Sequence, residues 1–176
     1  GAAGDMLTAA LLELLPEPKA FLQELNALGI PGVVTTAVRT EKCGICGTQL
    51  SVTVNGAEEE SEDVPLAHNM LAVMFTSMTM SMPMNTLIPT PAGGHPRALP
   101  VPQRVRDNIL AVYGRLAAAE SEAHGRPVDQ IHFHEVGTMD ALADITAVCL
   151  LLERLAPEQI IVSPVHVGSG HVRCAH

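Results

Sequence analysis

The stretch Ile131-His-Phe-His-Glu-Val-Gly-Thr-Met-Asp-Ala-Leu-Ala-Asp144 constrains this chain more than any other. Ile131, Phe133 and Val136 interleave with His132, His134 and Glu135, a short strand pattern that puts both histidines on one face. Gly137 breaks the strand. Thr138 is a good helix N-cap, and Ala141, Leu142, Ile145, Val148, Cys149 and Leu152 then recur at helical spacing. Asp140 falls in the first turn of that helix and Asp144 one turn later, so the two carboxylates share a face. A strand end and a helix start thus converge with imidazole and carboxylate groups, a ligand mix that suits nickel, zinc or manganese. The plainer reading is a surface pair of histidines beside an acid favoured by the helix dipole. A charged face next to two histidines has no packing purpose, which tips the balance toward a metal or catalytic site.

The 176 residues suggest one domain with an insertion. Hydrophobic residues make up 47%, yet the aromatic ones are Tyr113 and three phenylalanines, so the core must be built of Leu, Val, Ile and Ala. A net charge of -9 argues against nucleic-acid or anionic-membrane binding. No apolar run approaches a membrane span and no signal peptide is visible, while a first residue other than Met implies that an initial segment is missing. Four scattered cysteines fit a reducing cytoplasm better than a disulfide scaffold.

Gly1-Ala-Ala-Gly-Asp5 opens into Met6, Leu7, Ala10, Leu11 and Leu14, a helix expected to stop before Pro16. Two glycines and an aspartate at a helix start make a tight turn whose free amides can receive an anion, although most such turns are only caps. Lys19 to Leu28 reads as a second helix with Phe21, Leu22, Leu25 and Leu28 inward and Gly29 closing it. Val33 to Val38 and Gln49 to Val54 read as strands joined through Lys42-Cys-Gly-Ile-Cys-Gly47. Cys43-x-x-Cys46 has the spacing of a zinc knuckle or redox pair. No second pair answers it, so a hairpin connection with incidental thiols is the favoured reading.

Glu58-Glu-Glu-Ser-Glu-Asp63 is an acidic, solvated run that closes the first half. Six of the eight methionines then fall between Met70 and Met84, and Pro and Gly dominate from Pro89 to Pro102. Residues 64–102 therefore read as a long flexible insertion. Methionine has one codon, ATG, so a preceding codon ending in C spells histidine one nucleotide earlier. Re-read in that frame, Met78 to Thr86 becomes a run with histidine at every second position. The hypothesis is a His-rich metal-binding loop translated out of frame; codons before these methionines that do not end in C would end it. A genuine methionine tract for Cu(I) and a functionless linker are the alternatives.

Val105, Ile109, Val112, Tyr113, Leu116 and Ala119 mark a long amphipathic helix that Gly125 and Pro127 end. Ile160-Ile-Val162 reads as a short buried strand. Ser163-Pro-Val-His-Val-Gly-Ser-Gly-His171 then carries His166 and His171 around a glycine turn, and the chain looks cut off at His176.

Gly1 to Met6, Ile131-His-Phe-His-Glu-Val-Gly137 with Asp140 and Asp144, and Ser163 to Gly170 together resemble the N-terminal part of the LarC family. Members of that family are nickel-insertion proteins, also called pyridinium-3,5-bisthiocarboxylic acid mononucleotide nickel chelatases. The resemblance covers residues 1 to about 64 and 103 to 176, with the helix from Val105-Arg-Asp-Asn108 fitting less specifically. It implies insertion of Ni(II) into an organic pincer ligand, giving the nickel-pincer nucleotide used by lactate racemase and related enzymes. It also implies a His-rich insertion where the methionine tract lies, and a further C-terminal domain, associated with CTP and a divalent metal, that this chain lacks.

A site that holds Ni(II) loosely suits imidazole and carboxylate better than a closed thiolate cage. His132, His134 and Glu135 are the leading metal candidates, with Asp140 and Asp144 as ligands or as groups that orient them. Carbon–nickel bond formation removes a ring proton, so a base is required, and Glu135 or His134 is placed there. Gly1, Gly4 and Asp5 are candidates for holding the mononucleotide at the helix start, and Gly168 and Gly170 form a second one. His166, His171 and His176 either complete the metal site or sit on the surface. Two rival functions remain in view: a non-catalytic nickel storage or delivery module, and a zinc hydrolase, which lacks a His-Glu-x-x-His motif.

The expected fold is a mixed α/β (α+β) domain, helices packed on a mixed sheet containing the 131–135 and 160–171 strands, with the flexible insertion between its halves. Its segments are residues 1–63 and 103–176 as two halves of one domain and 64–102 as the insertion. A cytoplasmic protein, with a homo-oligomer admitted, completes the expectation.

Overall fold

The computed structural model describes residues 3–58, 99–128, 138–165 and 169, together with the backbone pairing of 87–88 with 97–98. Among the described residues four helices and four strands follow in the order α1 (Gly4–Leu12), α2 (Pro18–Ala27), β1 (Val33–Lys42), β2 (Ile45–Val54), β3 (Leu87–Ile88), β4 (Arg97–Ala98), α3 (Gln103–His124) and α4 (Met139–Leu155). Helices packed on a sheet make this the mixed α/β fold expected. Among the described residues both sheets are two-stranded and antiparallel, β1 with β2 and β3 with β4.

The hairpin is longer than the strand pattern suggests. β1 and β2 pair over ten residues each, from Val33 opposite Val54 to Lys42 opposite Ile45. Only Cys43 and Gly44 remain to turn the chain, and both have positive φ, 55° and 78°. That is the two-residue turn whose twist matches paired strands, and glycine fills its second position without strain. Alternation puts Thr35, Leu50 and Val52 into the core and leaves Val34 and Val38 outside. The outer edge of β1 is closed by a side chain. Asn26 accepts from the Thr35 backbone N–H at 2.8 Å and donates to the Thr35 carbonyl at 2.9 Å, as a neighbouring strand would.

α2 begins with Pro18 in its first turn, where the missing N–H costs nothing, and buries Phe21 and Leu25 as its spacing predicts. α1 lies on β2 and α4, and α3 packs on α4. α1 does not bury the face its apolar residues suggested: Met6, Leu7 and Leu14 are exposed, whereas Thr8, Ala9 and Leu12 are buried. Gly4, Thr8 and Leu12 are one turn apart, and small residues at the first two let a helix approach its neighbour closely.

α4 is the centre of the domain. Thr138 caps it, its hydroxyl accepting from the Ala141 N–H at 3.2 Å. Leu142, Ala143, Thr146, Ala147, Cys149, Leu150 and Leu151 are all buried, so the helix is covered on most of its circumference. α3 buries Val105, Ile109, Tyr113 and Ala117, every fourth residue, and Ala119, expected inward, falls off that stripe and is exposed. Leu99 and Val101, assigned to the end of the insertion, join the core, and Arg106 donates to both of their carbonyls at 3.3 Å.

Ile160-Ile-Val162 is a correction to the expected buried strand. The three residues are 61%, 82% and 74% exposed and pair with no strand among the described residues. β-branched residues favour an extended backbone, but a strand exists only where a partner supplies the ladder. The expected strand at 131–135 lies outside the described residues.

Candidate functional site

Asp144 sits one turn into α4 on the side that meets the beginning of α1. The two helices touch so closely there that a Cβ built on Gly4 would lie 2.5 Å from Asp144 Oδ2 and 2.6 Å from its Cβ. The backbone N–H of Asp5 faces the Asp144 carboxylate and favours its charged form. Gly4 and Asp5, read from the sequence as an anion-receiving helix start, thus have an internal anion against them. Asp140 and Asp144, read as one helical face, are joined by Asp5 from the other end of the chain.

This crowding has an electrostatic cost. The Asp144 carboxyl is pushed up to about 7 from an ordinary 3.8, first by burial, then by the negative charges of Asp140 and Asp5. The Asp5 N–H opposes that shift by stabilising the charged form. One carboxylate oxygen, Oδ1, is buried with no hydrogen-bond partner among the described residues. Tyr113 of α3 is buried nearby, and its phenol is raised by burial and then by the charge of Asp144. Thr8 and Thr146 also have buried hydroxyls without partners among the described residues.

Three carboxylates held together in a half-buried place can orient a proton or attract a cation. Among the described residues no three His, Cys, Asp or Glu side chains are grouped as a metal site, so these carboxylates do not by themselves enclose an ion. His132, His134, Glu135, Gly1, Gly168, Gly170, His166, His171 and His176 lie outside the described residues. The sequence missed Tyr113 as a neighbour of Asp144, since its helical spacing marks it only as core.

The thiols present a different picture. Cys43 forms the hairpin turn and Cys46 follows it on β2, both exposed, with the Cys46 thiol 3.9 Å from Glu41 Oε2. The expected hairpin connection is what the chain forms there. Cys149 is buried in the core and its thiol is pushed up to about 11 by burial, which suppresses the thiolate a metal requires. A groove of about 550 Å³ opens at the far end of α1, lined by Leu12, Glu13, Lys19, Ala37, Arg39 and Thr48 among others. The Glu13–Arg39 ion pair lies in it at 3.8 Å, but the groove contains none of the carboxylates described above.

No helix among the described residues is long and apolar enough to cross a membrane. No solved structure matches the chain. It is 30% identical over 192 residues to the pyridinium-3,5-bisthiocarboxylic acid mononucleotide nickel insertion protein of Alkaliphilus metalliredigens, covering all of this chain and 40% of that protein. Relatives named for nickel insertion in Myxococcus xanthus and Synechococcus are 32% and 33% identical, again over the whole chain and 39% of their own length. The chain thus spans about two fifths of the curated relatives it matches. A family model described as nickel insertion protein matches residues 1–176, and the chain belongs to that family.

Proposed function

We propose that this chain takes part in inserting Ni(II) into pyridinium-3,5-bisthiocarboxylic acid mononucleotide, with nickel as substrate. The observation that carries this reading is the meeting of Gly4–Asp5 with Asp140 and Asp144 at one place. Like charges forced together favour a cation, and oxygen donors release nickel more readily than thiolates do. His132, His134 and Glu135 would complete the ligand set, because they lie three to six residues before Thr138 and imidazole raises nickel affinity over carboxylate alone.

Glu135 or His134 would accept the ring proton that carbon–nickel bond formation displaces. The mononucleotide would be held by the turn at Gly168 and Gly170 together with Gly1. Gly4 and Asp5 border the carboxylates, so the nucleotide would lie beside the nickel. CTP with a divalent metal belongs to the remaining length of the relatives in this reading, as do assembly into oligomers and delivery of product to nickel-pincer enzymes such as lactate racemase. The setting would be the cytoplasm.

The test is Ni(II) calorimetry on the wild type and on His132→Ala/His134→Ala, paired with an insertion assay on Glu135→Gln. Loss of nickel binding in the double variant, and no insertion by Glu135→Gln even at nickel concentrations that saturate it, are expected. A storage or delivery module would bind nickel through the same histidines yet show no insertion in the wild type. Equal nickel binding with and without the two histidines would overturn the ligand assignment.

A further inference from the structure

We propose that Gly4 is a positioning residue for Asp144: lacking a side chain, it leaves the volume in which the Asp144 carboxylate seats against the first turn of α1. The inference rests on the nickel reading above and names what fixes one carboxylate of that centre.

Gly4 needs an explanation, because glycine within a helix costs about 1 kcal/mol relative to alanine. Backbone freedom does not supply one, since Gly4 lies in the first turn of α1 and is not among the positive-φ glycines. Space does. An added Cβ would lie 2.5 Å from Asp144 Oδ2, 2.6 Å from its Cβ and 2.8 Å from its Cγ. Carbon atoms in contact sit roughly 3.5–4.0 Å apart, so this is a collision. Turning the Asp144 side chain would free the oxygen but not its Cβ, which the α4 backbone fixes. A larger residue at position 4 would therefore drive the helices apart.

The close approach brings the Asp144 carboxylate to the Asp5 N–H at a helix start, where a negative charge is favoured by the amide and by the dipole. Held there, the carboxylate has one fixed direction in which to meet a ligand. It follows that a phosphate arriving at this turn would compete with Asp144 for the Asp5 amide.

The test uses the intact chain as wild type, Gly4→Ala, Asp144→Gly and the double variant, with Asp144→Asn as the gentler replacement should Asp144→Gly unfold α4. Amide hydrogen exchange followed by NMR reads the contact at Asp5 directly. We expect Gly4→Ala and Asp144→Gly each to accelerate Asp5 exchange about tenfold, the double variant adding nothing to Asp144→Gly alone, as coupled neighbours behave. Ni(II) calorimetry on the same four proteins should show losses that likewise do not multiply. Wild-type protection of Asp5 in Gly4→Ala, or losses that multiply, would overturn the proposal. Accelerated Asp5 exchange with unchanged nickel affinity would uphold the seating of Asp144 and instead remove this carboxylate from the nickel centre.

Discussion

Among the described residues, two places gather side chains of the kinds that can bind metals, and they differ in almost every physical respect. At the hairpin tip, Cys43 in the two-residue turn and Cys46 at the start of β2 are both exposed. At the α1–α4 seam, the charges of Asp140 and Asp5 bear on Asp144 beside a glycine that has no room for a methyl group. Cys-x-x-Cys is the more familiar metal spacing, yet the tip has little to gain from a ligand. The seam sets the charges of Asp140 and Asp5 against the Asp144 carboxyl, and a bound cation or proton there would lower its energy. Spacing nominates candidates; enclosure and mutual repulsion separate them.

The sharpest way to break this contrast is to empty the core on which α1, the helix that forms one side of the seam, is packed. Leu12→Ala, on the buried side of α1, should cost about 2–5 kcal/mol, whereas Ile45→Ala beside the tip should stay within about 0.5 kcal/mol. Chemical denaturation of both variants checks it, and comparable losses would show that the tip is not peripheral.

Acid should act on the seam alone. Asp144 holds its proton to higher pH when folded than when unfolded, so the folded state binds more protons between pH 4 and pH 7. Its contribution therefore favours folding at pH 4 and is lost as pH rises toward 7. Three units at about 1.4 kcal/mol each give a ceiling near 4 kcal/mol, which solvent screening of a half-exposed group reduces to ~2 kcal/mol. Thermal melts at pH 4 and pH 7 should show this slope in the wild type and a flatter one in Asp144→Asn; parallel slopes would refute it.

A smaller effect is expected at the cap. Thr138→Ala removes the hydroxyl that receives the Ala141 N–H and should cost about 1 kcal/mol, read from urea midpoints. The smallest effect belongs to the tip. Cys43→Asn installs the Asn-Gly pair that this turn type prefers and should stabilise by a few tenths of a kcal/mol. Combined with Cys46→Ser it should leave Ni(II) affinity unchanged, and a tenfold loss would return the thiols to consideration.

Local signals carried much of the fold. Thr138 as a cap, Gly29 and Gly125 as stops, and Phe21 with Leu25 inward are decided within a few residues of sequence, and the structure agrees at each. Asp140 and Asp144 are one turn apart by helix geometry alone. The arrival of Gly4 and Asp5 against them is a tertiary event between opposite ends of the chain, which no window of sequence contains. The inward face of α1 was illegible for another reason: Gly-Asp-Met-Leu-Thr-Ala-Ala-Leu-Leu is apolar nearly all round, so periodicity cannot choose a side. Close approach to α4 chose the small residues instead. Ile160-Ile-Val162 misled because β propensity describes a residue's fitness for a ladder and says nothing of whether one is there.

Asn26 has a consequence in time as well as in space. It precedes Thr35 by nine residues, so the double hydrogen bond it makes to β1 closes a short loop. During synthesis the first strand emerges before its partner β2, and a bare strand edge at that moment can recruit another nascent chain. A clamp carried on the preceding helix is available before β2 exists. The order of the elements along the chain thus leaves β1 with one covered edge while the hairpin is still half made.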